Sequence, residues 1–493
     1  MLKRFMFIPA IWFVVFVFWA LPAVAEMIVD TAWVRRYNGP LNWYDFASAI
    51  AVDDFGNVYV AGGSGGEFFD YATIKYDARG NELWVQRYDG PANSYDEASD
   101  IAVNGSGHVY VTGWSRDVNE IDYCTIKYNT SGSQLWVERY DGPGGNYQNE
   151  AFKLAVDDSD CIYVTGFSCI TTNAGCDYAT IKYYGDGDTA WVRRYDNLPT
   201  GDGDGRAITV DKFGCVYVTG RSMESWPDYD CITLKYYPNG DTAWVRRYNG
   251  PDSGCDIGSD ITVDSYGNVY VAGRSENIGS AYDYLTIKYY SNGDTAWVRT
   301  HSSAPNDYDQ SAALAVDHFG NTYVTGTSGT VKYDTDGNLL WVKTFAGVDI
   351  ALDTFDNAYI AGGSPDYVTI CYRPNGDTAW VRTYDGPIQG IDNPQAIAVD
   401  YSGNVYVTGG SSGNGTHQDY ATVKYYQALR GDVNRDRMID LGDVADLINY
   451  LYKNGLAPNP LVVGDCNCSG AVELGDAVYL ITYLYKGGPA PNC

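Results

Sequence analysis

The sequence predicts an all-β fold, an eight-bladed β-propeller with four-stranded blades, and three observations predict it. First, one phrase recurs along most of the chain: Ala51-Val52-Asp53, then GNVYV at 56–60, DYATIKY at 70–76 and WVQRYDGP from Trp84. The Trp that opens its last segment stands at 33, 84, 136, 191, 244, 297, 341 and 380, at intervals of 51, 52, 55, 53, 53, 44 and 39 residues. A period of this size means an array of supersecondary units, each too small to bury its own hydrophobic face. Second, each unit holds four short runs rich in Val, Ile, Tyr, Thr and Trp, parted by Gly, Asp, Asn and Pro, which is strand and turn punctuation. Third, the ends are complementary: the last unit stops at Tyr425-Tyr426 without a Trp strand, whereas residues 31–40 (TAWVRRYNGP) are a Trp strand with no unit before them.

The elements follow in order. Lys3 and Arg4 precede an apolar run over 5–21, and Ala23-Val24-Ala25 supplies small residues for cleavage, so residues 1–25 read as a secretory signal. An uncleaved anchor is the rival reading, disfavoured because the run is near the lower length limit for spanning a bilayer. The chain then has no membrane span after cleavage and is expected outside the cell or at its surface. Residues 26–427 form the propeller. Innermost runs appear eight times, with Val52, Val103, Val156, Val210, Val263, Val316, Leu352 and Val399 at the equivalent place. The links typified by 53–57 (DDFGN) and 77–81 (DARGN) carry residues that tolerate positive φ and predict tight hairpins on one face. The other two links share the opposite face and vary in length, for example over 169–176, 223–228 and 277–282. The orphan strand near the N-terminus completes the last blade by ordinary ladder hydrogen bonds and leaves no open edge. An open solenoid is the alternative, and it would leave the complementary ends without a use.

At residues 52–64 (VDDFGNVYVAGGS) and 70–84 (DYATIKYDARGNELW) the chain resembles the bacterial SBBP repeat family. The resemblance runs over about 400 residues. That family's name alludes to seven blades, so the count of eight departs from it, with the short sixth and seventh units as the place to check.

Composition narrows the partners. Asp plus Glu number 62 against 33 Lys plus Arg, a formal charge of −29, and no basic stripe appears, so nucleic acid and anionic membranes are poor partners. Eleven cysteines suit an oxidising compartment but leave at least one unpaired within the chain. Cys169 and Cys176 flank one loop, and Cys466 or Cys468 could pair with Cys493. Cys124, Cys161, Cys215, Cys231 and Cys371 fall in strand-like segments, as small buried hydrophobes.

After Gln427 the phrase changes. GDVNRDRMIDLGDVADLINYLYKNG at 431–455 is matched by GDCNCSGAVELGDAVYLITYLYKGG at 464–488. Oxygen-bearing side chains stand at places one, three, five, nine and twelve of each loop, the spacing with which a twelve-residue turn wraps a hard cation. The expected Ca2+ ligands are Asp432, Asn434, Asp436, the Met438 carbonyl, Asp440 and Asp443 in the first loop. In the second they are Asp465, Asn467, Ser469, the Ala471 carbonyl, Glu473 and Asp476. Val444, Leu447, Ile448 and Leu451 follow at helical spacing, matched by Ala477, Leu480, Ile481 and Leu484. A helix after each loop and none before it resembles a type I dockerin, so residues 428–493 are expected to be a small all-α, dockerin-like calcium-loop domain. The resemblance implies a cohesin-type partner and a pseudo-twofold module. Arg437 at the sixth place, where Gly permits the sharp turn, and Ser469 in place of a carboxylate depart from the pattern, as do Leu441-Gly442 and Leu474-Gly475 from the usual partner-choosing pair.

Within the propeller most polar residues repeat from blade to blade. Asp70, Asp122, Asp177, Asp230, Asp283, Asp366 and Asp419 precede the third strand, and Lys75, Lys127, Lys182, Lys235, Lys288, Lys332 and Lys424 sit in it; a turn cap and an interblade ion pair are expected. The four histidines, His108, His301, His318 and His417, have no metal-ligand or triad spacing. No catalytic residue is assigned. The expected role is a secreted, noncatalytic binding propeller. Trp43-Tyr44-Asp45, Tyr95-Asp96 and Tyr308-Asp309 on the variable face suit a glycan or a protein edge, or simply seal blades. A polysaccharide-degrading enzyme with a carboxylate pair at the central mouth stays open, as does a surface spacer.

Overall fold

The computed structural model describes residues 27–118, 120–143, 148–170, 175–195, 201–225, 228–251, 254–277, 281–304, 307–434, 438–458 and 460–492. The signal sequence expected over 1–25 lies outside them. The described chain divides into two units, one over Val29–Gln427 and one containing Ala428–Cys493.

Val29–Gln427 is a ring of eight four-stranded antiparallel blades. Blade 1 consists of β2 (Asp45–Val52), β3 (Val58–Gly65), β4 (Phe69–Tyr76) and β5 (Glu82–Tyr88). The other blades repeat that order, and the short sixth and seventh units still supply four strands each. The terminal strand β1 (Met27–Tyr37) is the outer strand of blade 8, hydrogen-bonded to the strand Gln418–Leu429. The ring is therefore closed as the complementary ends require.

The hydrophobic cores lie between blades. One core joins Tyr59 and Tyr71 of blade 1 to Val109, Val111 and Tyr128 of blade 2; another joins Trp33, Tyr406 and Tyr420 of blade 8 to Val58, Ile74 and Tyr76 of blade 1. Tyr rings at 0–2% exposure are the largest fully buried side chains there, each worth about 2–3 kcal/mol. Their hydroxyls cross the same junctions: Tyr71 donates to the Cys124 carbonyl at 3.0 Å, Tyr123 to Ala179 at 3.0 Å and, at the closure, Tyr420 to Ala72 at 3.2 Å.

A second interblade clasp runs around the periphery. The Trp84 indole N–H donates to the Thr130 carbonyl in the turn of the next blade, and Lys75, resting on the Tyr59 ring, donates to the same oxygen at 3.2 Å. Seven Trp residues make this bond to a turn carbonyl. The eighth, Trp380 of blade 7, faces blade 8, where strand three leads out of the ring and no turn exists. There the Gln427 side chain replaces the turn: its Oε1 accepts from Trp380 at 3.1 Å, and its Nε2 donates to Tyr359 Oη at 2.7 Å and to the Gly403 carbonyl.

The expected interblade ion pair is corrected by this geometry. The Asp before strand three pairs within its own blade with an outer-strand Arg, as in Arg87–Asp70 (2.7 Å), Arg139–Asp122 (2.8 Å) and Arg36–Asp419 (2.9 Å). The Lys of strand three crosses to the neighbour, but to a carbonyl. Lys127–Asp160 at 2.8 Å is one place where it also meets a carboxylate of the next blade. Cys169 and Cys176 form a disulfide. Cys161 and Cys215 sit in the turns just before their strands, Cys466 is a buried reduced thiol, Cys468 is disulfide-bonded, and Cys493 lies outside the described residues.

In the second unit, α1 (Leu441–Lys453) and α2 (Leu474–Lys486) follow the two loops and bury Val444 and Leu447 against Ala477 and Leu480. Each helix ends on a left-handed residue, Asn454 (φ 55°) and Gly487 (φ 65°). No helix among the described residues is long and apolar enough to cross a membrane.

Candidate functional site

The two loops of the C-terminal unit are organised by their last carboxylates. In the first, Asp443 is fully buried, and its Oδ1 accepts from Val433 N (2.6 Å) and Asn434 N (3.1 Å) while Oδ2 accepts from Asp440 N at 2.8 Å. In the second, Asp476 repeats this with Asn467 N at 3.0 Å and Glu473 N at 2.7 Å. The ninth and twelfth loop residues thereby also cap the helices, which ties loop shape to helix formation. Asp465 accepts from Ser469 N and Gly470 N at 2.8 and 2.9 Å, and Gly470, at the sixth place, takes φ +89°. Asp436 and Arg437 of the first loop lie outside the described residues.

Whether these loops suit a cation can be judged from their charge and donors. Asp432, Asp443, Asp465 and Asp476 are all at or below 8% exposure, and carboxylates so enclosed call for positive charge. Their field is felt by Cys466, whose thiol is pushed well up by burial and then by Asp476 and Asp443. The donors are carboxylate, amide, hydroxyl and carbonyl oxygens, a hard set that fits Ca2+.

The central channel holds side chains that do not repeat. Each innermost strand carries a β-bulge at the same place, as between Ala47 and Ala49, Ala98 and Asp100, and Ala151 and Lys153. The Gly of the second strand accommodates it: a Cβ at Gly62, Gly113 or Gly220 would strike an inner-strand carbonyl, Phe46, Glu97 or Asp204 respectively. The residue after the bulge is Ala in four blades, Asp in blades 2, 5 and 7 (Asp100, Asp260, Asp349) and Lys153 in blade 3. Asp260 accepts from Leu314 N of blade 6 and from Ile261 N, both at 2.8 Å; Asp349 does the same with Ile397 N of blade 8 and Ile350 N. Asp100 accepts from Leu154 N of blade 3 at 2.9 Å and meets Lys153 Nζ at 3.5 Å. The ring encloses this channel, yet the Lys153 side chain stays 48% exposed. Burial pushes Asp260 and Asp349 up to about 6, against the pull of these N–H donors and of Lys153. The three carboxylates act as clasps between adjacent blades, and Lys153 offsets their charge.

On the variable face the expected aromatic–acid pairs separate into two jobs. Asp45, Asp96 and Asp309 are fully buried and fix loops, accepting from Gly39 N (2.7 Å), Gly90 N (2.6 Å) and Ser303 N (2.7 Å). Trp43, Tyr44, Tyr95 and Tyr308 are 38–53% exposed. Trp43 and Tyr44 pack on His417 at 4.5 Å each, and Tyr308 meets Tyr282 at 4.7 Å, so they also close gaps between blades. The bulge residues and Gln427 are functional or closing features that the repeat hides; the Gly after each VYV-type run was the signal for the bulge.

Comparisons with known proteins agree with the two units. The Beta-propeller repeat family, SBBP, matches residues 32–69, 243–278 and 384–415, and the Dockerin type I domain matches 430–485. The chain thus carries SBBP-type propeller repeats and a C-terminal type I dockerin domain. It is 24% identical over 388 residues, 68% of its length, to the uncharacterized WD repeat-containing protein L264 of Acanthamoeba polyphaga mimivirus, of which the match spans only 26%. Among solved structures it is similar to PorZ, a surface component of the type-IX secretion system of Porphyromonas gingivalis (TM-score 0.41, 14% identity, 74% of this chain and 51% of that one). Polysaccharide lyase Uly1 (0.46, 10%, 81% and 99%) and the periplasmic gluconolactonase PpgL of Pseudomonas aeruginosa (0.42, 12%, 69% and 95%) are further examples. Likenesses at these levels say nothing about activity.

Proposed function

We propose that this protein is a secreted, noncatalytic propeller that presents a binding surface and is attached through its calcium-dependent dockerin module, residues 428–493, to a cohesin-type partner. The observation that carries the reading is the duplicated loop and helix, with two enclosed carboxylates and a twelve-place oxygen spacing in each copy. Type I dockerin domains are calcium-binding modules with cohesin partners. Asp432, Asn434, Asp436, Met438 O, Asp440 and Asp443 would hold one Ca2+, and Asp465, Asn467, Ser469, Ala471 O, Glu473 and Asp476 the other. The ion supplies the positive charge that lets these carboxylates stay ionised and buried; Asp443 and Asp476 already tie loop to helix, so cation binding and helix docking form one cooperative unit.

The noncatalytic reading is supported by the channel, where Asp100, Asp260 and Asp349 are each engaged by a backbone N–H of the next blade and so have a structural role between blades. Calorimetric titration of the full mature chain with Ca2+ is expected to give two sites, with capture on a panel of immobilised cohesins abolished by chelator. Binding of no calcium, or capture indifferent to chelator, would overturn the proposal.

A further inference from the structure

The tips of the first hairpin in each blade carry an arrangement that neither the turn nor the core needs. In blade 1 the turn is built by Asp53, whose Oδ1 accepts from Phe55 N and Asn57 N at 3.0 and 2.9 Å, and by Gly56 at φ +75°. The tip side chain takes no part. Yet it is aromatic in blades 1, 4, 5, 6 and 7, and in blade 8 an aromatic stands one place earlier. Phe55, Phe213, Tyr266, Phe319, Phe355 and Tyr401 are 52–83% exposed. Blades 2 and 3 carry Ser106 and Ser159 instead, so serine serves the turn equally well.

Single exposed aromatics are ordinary, but six on the same turn of consecutive blades of a closed ring, five of them at one position, form an arc on one face. A cavity of about 530 Å³ lies at its middle, bordered by Tyr266, Phe319 and the turn of blade 7. This is a volume in the range of small-ligand sites. Its rim keeps hydrogen-bonding groups available. Ser265 and Thr354 are exposed, and His318, 67% exposed, holds Asp356 Oδ1 through Nδ1 at 2.7 Å and offers Nε2.

We propose that this face binds a neutral polysaccharide, with the aromatic tips stacking on sugar rings and the cavity between Tyr266 and Phe319 as the principal subsite. The rings stand apart on separate turns with polar groups between them, which suits successive sugar rings bearing hydroxyls and does not make the contiguous apolar centre of a protein interface. The residues just before the tips in blades 4 to 7 are Lys212, Ser265, His318 and Thr354, and the turn carboxylates Asp264, Asp317, Asp353 and Asp356 line the cavity, which sets its field against an anionic ligand. A formal charge of −29 disfavours an anionic polymer. This site is independent of the dockerin reading and lies on the face opposite the variable loops.

The test is electrophoresis of the full mature chain in native gels cast with hydroxyethylcellulose, mixed-linkage β-glucan, xyloglucan or galactomannan, with polygalacturonate as the anionic comparison. Retardation by at least one neutral polymer and none by polygalacturonate is expected. The double variant Tyr266→Ser with Phe319→Ser, which installs the residue that blades 2 and 3 already use, should bind about tenfold more weakly or less, with an unchanged melting temperature and unchanged calcium binding. Ser106→Tyr with Ser159→Tyr, extending the arc, should tighten it, and Arg79→Ser in the other hairpin should leave it unaltered. No retardation by any neutral polymer, or equal retardation of the Tyr266/Phe319 variant, would overturn the proposal. So would light scattering that shows a self-association of the wild type lost in that variant, since this would assign the face to protein contact.

Discussion

Gln427→Ala tests the closure of the ring at the one junction where side chain replaces backbone. Truncation strands the indole N–H of Trp380, a residue 7% exposed, and leaves the Gly403 carbonyl without its amide donor beside the fully buried Tyr359. Tyr359 keeps its own bond to Asp353 Oδ2 at 2.8 Å, so two groups lose partners. At about 1–3 kcal/mol for each buried group left unpaired, the cost is roughly 2–6 kcal/mol. Unfolding entropy of about 2.1 cal/mol/K per residue over some 400 residues converts this to a fall of about 2–7 °C in melting temperature. Gln427→Glu keeps the acceptor for Trp380 but sets a carboxylate against the Gly403 carbonyl. It should be at least as destabilising at pH 8 and recover on acidification, because protonation restores a donor. Scanning calorimetry in chelator, which isolates the propeller transition, reads all three proteins. A Gln427→Ala melt within 0.5 °C of wild type would refute the account of the closure.

Blade 7 carries Cys371 where seven blades carry the clasping Lys, and Cys371→Lys should cost at least as much as Gln427→Ala in urea unfolding, since blade 8 offers no turn carbonyl to receive it. Gly220→Ala should destabilise by several kcal/mol, because the added methyl strikes the Asp204 carbonyl at the bulge; a loss under about 1 kcal/mol would contradict the bulge. Asp260 and Asp349 titrate near 6 in the fold against an ordinary 3.8, so the ionised forms are penalised only when folded. That penalty is absent below about pH 4, grows between pH 4 and 6 and is complete above pH 6. Urea midpoints should therefore fall across that window more steeply in Lys153→Met than in wild type. Arg437→Gly should tighten the weaker of two calcium-binding events, measured by calorimetry, because it supplies the left-handed freedom that Gly470 has in the second loop.

Strand count, turn positions and the closing role of the N-terminal strand were legible because each rests on local pattern: Val-Tyr-Val runs, Asp-x-x-Gly-Asn turns and an orphan Trp segment. The partners of repeated charges were not, since a repeat reveals that Asp70 and Lys75 matter without revealing the direction in which each side chain leaves its strand. Asp70 leans along the sheet to Arg87, while Lys75 lies over the Tyr59 ring and so reaches the adjacent blade. The channel residues were hidden for the opposite reason. Asp100, Lys153, Asp260 and Asp349 break the repeat, and only the ring brings positions more than 200 residues apart into one field. In the C-terminal unit both helices and the burial of Val444, Leu447, Ala477 and Leu480 were readable from spacing, although Ile481 of the expected face is exposed, whereas the capping by Asp443 and Asp476 needed coordinates, because the same residues were already assigned to a cation.

One irregularity joins sequence to topology most directly. Lys424 in blade 8 reaches Ala78 O in the turn of blade 1, and every other clasping Lys likewise finds a turn in the blade that follows. Blade 7 alone is followed by a blade whose outer strand, β1, comes from the opposite end of the chain, so no turn connects strands three and four there. A Lys at 371 would be a buried cation with no carbonyl; the chain has Cys there, and Gln427 supplies both an acceptor and a donor from outside the repeat. An engineered turn running on from Gln427 to Met27 in a circular permutant would recreate the missing carbonyl. In that background Cys371→Lys should become neutral or stabilising while Gln427→Ala loses its effect. Persistence of either penalty in the permutant would mean that the clasp owes its strength to something other than the turn.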